Sequence, residues 1–187
     1  MKTIQATRRT HAALPLARLA CLAFALAAPA ALAAQTAKAA IQQAGPAAAK
    51  WRADARLTHV STLRGQADGR AVQWLCTYYS PAAKKSAIVT VRDGGKVDVD
   101  ADVRNTSIDA LGTEFVDSDQ AVAAAAKAGL KIKKDEKGLG LGLVVGNQAL
   151  GKPQAFWSVM VSGDKGMTSV TLAARDATFV KRDDVKY

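Results

Sequence analysis

Histidine and cysteine are nearly absent from this chain of 187 residues, which carries only His11, His59, Cys21 and Cys76. Beyond residue 34 only His59 and Cys76 remain, so no internal disulfide and no His/Cys metal set is available there. Aromatic residues make up 5% of the chain and are not interleaved with basic ones, which excludes nucleic acid as a partner. The acidic side chains are dispersed, and no nucleophile stands in a recognisable pattern with a base and an orienting third group. No catalytic, cofactor-binding or metal residue is assigned, and no cofactor is expected. Cys76, in the run 72–79 on the Trp74 face by alternation, reads as a small buried hydrophobe. No apolar run approaches the about 20 residues that a bilayer span requires.

Acidic residues are also missing from the first 53 positions, and that stretch has an order of its own. Lys2, Arg8, Arg9 and Arg18 precede an apolar run at 19–28, followed by Pro29 and the small-residue box Ala31-Leu32-Ala33. This is the order of a secretory signal peptide over residues 1–34, with cleavage expected at Ala34 or Gln35. Twin-arginine export is disfavoured because Thr10 and His11 follow the arginine pair. Lipidation of Cys21 is disfavoured because most of the apolar run follows that cysteine. The expected location is periplasmic or secreted, with no membrane span after cleavage.

Removing residues 1–34 takes four of the 26 basic side chains and none of the 16 acidic ones, leaving a net charge of +6. The remaining about 150 residues suffice for one ordinary domain with a normal core. The basic balance favours an acidic partner or anionic envelope glycans. Its tightest cluster, Lys131, Lys133, Lys134 and Lys137, is interrupted by Asp135 and Glu136 and reads as a solvated turn.

Residues 35–45 read as a flexible leader ended by Gly45-Pro46, with Pro46 opening a helix through residue 56. Strand patterns follow at 57–65, 71–79 and 86–92. Asp93-Gly94-Gly95 then turns the chain into an alternating strand at 96–100. Asp117-Ser118-Asp119 supplies N-cap candidates for a second helix over 120–128, closed by Gly129. Leu130 and Ile132 are expected to open a strand. Leu139, Leu141, Leu143 and Val145 form another, alternating with glycines, and a hairpin follows over 156–161 and 167–174. A short last strand is expected at Phe179-Val180.

An offset of 83 places Trp74 on Trp157, Ser86 on Ser169, Arg92 on Arg175, Asp93 on Asp176 and Val97 on Val180. Five identities in the 24 pairs exceed the one or two expected from residue frequencies. The expected fold is therefore α+β: two repeated units, 46–116 and 117–187, each a helix packed on an antiparallel meander sheet.

Each half resembles a PepSY-type unit, with an Ala-rich helix, a Trp-bearing strand, a hairpin and a closing turn. The second half keeps Asp176-Ala177-Thr178 of the turn but has Phe179 where that family has glycine. The first half carries Asp93-Gly94-Gly95 instead. The resemblance implies an exported module with a binding or inhibitory role and no shared catalytic residues.

Other motifs read as structure. Gly138, Gly140 and Gly142 have the wrong spacing for a phosphate loop, and no helix follows them. Asp98, Asp100 and Asp102 fall on one strand face and lack the remaining ligands of a calcium loop, with Val97, Val99, Ala101 and Val103 expected inward. Trp51, Trp74 and Trp157 are expected as core anchors. The functional expectation is a non-enzymatic module that contacts a protein or peptide in the envelope. The binding candidates are Tyr79, Gly140 and Gly142, with the glycine strand expected at an open sheet edge. A small envelope hydrolase and a protein held on anionic glycans stand as the alternatives.

Overall fold

The computed structural model describes residues 34–104, 107–135, 137–146 and 153–187. The expected signal peptide lies outside the described residues, apart from Ala34.

The first helix, α1, spans Ala37–Trp51. Ala37, Ala40, Ala44 and Ala48 recur at helical spacing and are buried, so one smooth stripe of methyl groups lies against the sheet. Gly45-Pro46 does not end a leader: both residues sit inside the helix. Pro46 is exposed, and its missing N–H costs the helix one hydrogen bond. The alanine stripe continues on both sides of it, and burial of that stripe carries the helix through the interruption. Residues 37–45 are therefore helix.

Strands β1 (Arg56–Gln66), β2 (Gln73–Ser80), β3 (Lys85–Arg92) and β4 (Val97–Val103) follow, with a short 3-10 turn at Asp93–Gly95. The second helix, α2, spans Ser118–Lys127, and Gly129 beyond its end has φ +91. It precedes β5 (Lys137–Gly146), β6 (Gln154–Gly163), β7 (Gly166–Ala173) and β8 (Phe179–Lys186). Leu130 and Ile132 form no strand. Leu130 is a buried residue of the irregular segment that follows α2.

The expectation of two repeated units, each with its own meander, is overturned. All eight strands form one antiparallel sheet in the order β4-β3-β2-β1-β5-β6-β7-β8. The seam is β1 against β5, where His59 pairs with Val144, Val60 with Leu143 and Ser61 with Gly142. Two separate four-stranded sheets would each expose the unpaired backbone groups of an edge at this point. Joining them satisfies both edges and runs one core across the seam, through Val60, Leu141, Leu143, Trp157 and Val159. The glycine-bearing strand β5 is consequently central, hydrogen-bonded on both sides, rather than at an open edge.

Both helices pack on the sheet, α1 over β2, β3 and β4 and α2 over β6 and β7. The true edges are β4 and β8. Edge position explains why Val99 is 42% exposed and Ala101 exposed, against the expected inward face. Between β3 and β4 the register shifts across Ser86/Ile88, and Asp102 has φ +56. That irregularity breaks the alternation which would have aligned Asp98, Asp100 and Asp102. Asp98 instead forms an ion pair with Arg92. The last strand, β8, is eight residues long, and Lys181, Arg182, Asp183 and Asp184 keep its edge charged.

Candidate functional site

The helices cover one face of the sheet. Trp74, Cys76 and Tyr78 of β2 are buried, and their cross-strand partners Val91, Val89 and Ala87 are buried beside them. The alternate residues of each strand face the other way, onto a surface that carries no helix among the described residues. Register builds that surface outward from the seam. His59 pairs with Thr77 on one side and Val144 on the other; Ser61 pairs with Leu75 and Gly142; Gly142 pairs with Ser158. Thr77 opposes Ile88, and Val144 opposes Phe156. The centre of the face brings together His59, Ser61, Thr77, Gly142 and Ser158 with half-buried Val144 and buried Phe156, and half-buried Leu75, Ile88 and Met160 flank it.

The three expected binding residues all lie on this face. Gly140 and Gly142 are neighbours along β5, while Tyr79 is on β2, half-buried and paired with Ser86. The bare position at Gly140 is already used by a neighbouring strand. A Cβ at Gly140 would come 2.7 Å from Met160 Cε, and one at Gly142 would come 3.9 Å from His59 Nε2. Gly140 therefore makes room for the Met160 side chain, whereas a methyl group at Gly142 would only touch the imidazole at ordinary contact distance. Tyr79 borders a hollow of about 300 Å³ that is also lined by Lys84, Lys85, Arg104 and Asp102. Three cations against one carboxylate suit an acidic side chain there.

His59 titrates below its ordinary value because burial disfavours the imidazolium. Cys76 is buried, and the same desolvation pushes its thiol up to about 12. The two cannot act together. His59 is opposite Thr77, whereas Cys76 is opposite Val60, so histidine and thiol project from opposite faces of the sheet. Among the described residues no group of three or more His, Cys, Asp or Glu side chains could hold a metal ion.

Sequence reasoning missed a polar cluster where the N-termini of the two helices meet. Ala37 N–H donates to Ser118 Oγ at 3.0 Å, and Lys38 N–H donates to the Asp117 carboxylate at 3.0 Å. Asp117 also caps its own helix in a capping box with Gln120. The sequence marks Asp117-Ser118 as a cap for α2, and no local signal reveals that the same pair serves α1.

No family model matches the chain, and no curated protein matches it. Among solved structures, it is similar to a putative lipoprotein from Clostridium difficile 630, with a TM-score of 0.51 and 12% identity over 73% of this chain and 86% of that one. At that identity the likeness concerns the fold.

Proposed function

We propose that the protein is an exported binding module that holds a protein partner on the helix-free face of its sheet. The observation that carries this reading is the size and make-up of that face. Eight strands of 7 to 11 residues, spaced about 4.8 Å apart, make a face about 34 Å wide and about 23–36 Å long. A standard interface takes about 800 Å² from each partner. Its mixture of serine, threonine and histidine with Leu75, Ile88 and Met160 matches the half-apolar character of interfaces between proteins that associate reversibly. The cationic hollow beside Tyr79 would receive an acidic side chain of the partner. Export rests on the signal pattern of residues 1–34, and the envelope setting accords with the name of the structural neighbour. The resemblance to PepSY-type units points the same way.

Retention on anionic glycans is the weaker reading. Arg92, Arg175, Lys181 and Arg182 are each within ion-pair distance of a carboxylate, which leaves fewer free cations for a polyanion.

Placing a long cation at the centre of the face tests the proposal. Ser158→Arg should abolish capture of the partner identified with the unaltered protein, while the melting temperature changes little. Unchanged capture, or turnover of a peptide, glycan or ester by the purified protein, would remove the binding-module reading.

A further inference from the structure

On the helix side of the sheet, a groove of about 580 Å³ lies between α1 and the segment 110–115. Its walls include Ile41, Leu57, Leu111 and Phe115, and Tyr78 lies at its floor. The charged side chains among the lining residues are Lys38 and Arg56; no carboxylate is among them. The Lys38 ammonium stands 5.3 Å from the centre of the Phe115 ring, which fixes a cation at the apolar wall. Asp109, Glu114 and Asp117 are close in sequence to the lining residues, and none of them lines the groove. Glu114 is 3.6 Å from Arg175, and Asp117 accepts the backbone N–H of Lys38.

We propose that this groove binds a free single-chain carboxylate, an acyl chain lying on the apolar wall with its head group at Lys38. The volume falls within the about 300–1,000 Å³ of small-molecule sites, and a few placed polar groups on a largely apolar lining are the usual arrangement there. Charge complementarity selects the anion: a carboxylate head would meet Lys38 and Arg56 and no carboxylate of the lining, whereas a cationic head would be repelled by both basic residues. Tyr78 adds a phenol to the floor, and burial keeps it protonated, so it donates a hydrogen bond rather than repelling an anion. This site is separate from the helix-free face and does not depend on the reading given above.

Decanoate, titrated by calorimetry into the protein as the cell produces it, provides the test, with decanol as the neutral control. One saturable decanoate site per chain is expected. Lys38→Glu should weaken decanoate at least ten-fold and leave decanol little changed. Gly45 supplies the second variant: it lines the groove, and a Cβ there would meet nothing within 4 Å. Gly45→Phe should keep the fold, because the ring enters open space, and should block both ligands. Absence of saturable binding, or binding that both substitutions leave intact, overturns the proposal. Attachment to phosphatidylglycerol vesicles without uptake of free decanoate would assign the groove to a membrane surface and overturn it equally.

Discussion

The Asp117 carboxylate accepts the backbone N–H of Lys38, 79 positions away in sequence, while also capping the helix that begins at Ser118. One side chain thus serves the positive ends of α1 and α2 together. Thr36, at the N-cap of α1, makes no side-chain capping bond, so that helix depends on this borrowed acceptor and on Ser118. A lost cap costs about 0.5–2 kcal/mol. Asp117→Ala should therefore cost about 2–3 kcal/mol in urea unfolding, more than one cap, with Asp117→Asn costing less because it keeps an acceptor. A loss below about 0.5 kcal/mol would show that α1 does not rely on it.

Trp74 and Trp157 should prove equivalent in cost. Both are fully buried, and each indole N–H donates to a carbonyl two residues ahead of a helix: Gln35 O at 2.8 Å and Val116 O at 3.0 Å. Replacement of either by Ala should cost about 3–5 kcal/mol. Phe should cost less at both sites, about 1–3 kcal/mol, because it keeps much of the ring volume and loses the hydrogen bond.

Two glycines should respond in opposite senses to alanine. Gly69 has φ +80, and its added Cβ would lie 2.5 Å from Asp119 Cα, a backbone atom that cannot swing aside. Gly69→Ala should destabilise by about 2 kcal/mol or more. Gly45 is inside α1 with open space around the added methyl, so Gly45→Ala should stabilise by about 0.5–1 kcal/mol. Thermal unfolding of the pair decides both.

His59 should make the fold sensitive to mild acid. Its folded value lies below the ordinary 6.5, so on acidification the unfolded chain takes up the proton first. The contribution is intact above about pH 6.5 and is lost as pH falls from there toward the depressed folded value. The depressed carboxylates Asp54, Asp176 and Asp184 act below their ordinary 3.8, outside this window. His59→Gln should flatten the slope of stability between pH 6.5 and 5; an unchanged slope would place its origin elsewhere.

Local pattern made most strands legible, because alternation and turn chemistry are properties of short segments. The hairpin closed by Gly163 and Gly166 and the capping of α2 by Asp117 stand where the residues place them. What escaped the sequence is set by distant partners. Pro46 reads as a helix boundary, and only the alanine stripe packed on the sheet shows that the helix continues through it. Alternating glycines read as an edge strand, and only pairing with both β1 and β6 shows β5 to be central. The same pairing turned two expected units into one sheet. Of the candidate site, Tyr79 stands out by its adjacency to Tyr78 and Gly140 and Gly142 by their alternation, whereas the face they share with His59 and Ser158 is set by cross-strand register. The groove at Lys38 and Phe115 depends on residues 77 positions apart and has no local signal.

The central claim is that one face of the sheet binds a partner. Photo-crosslinking amino acids at Thr90, on the helix-free face, and at Ala49, exposed on α1 and outside the groove, would probe the two sides of the same folded protein in its native compartment. A discrete crosslinked partner is expected from position 90, none from position 49, and loss of the adduct when Ser158→Arg is added. Equal adducts from both positions, or an adduct from position 90 that survives Ser158→Arg, would contradict it.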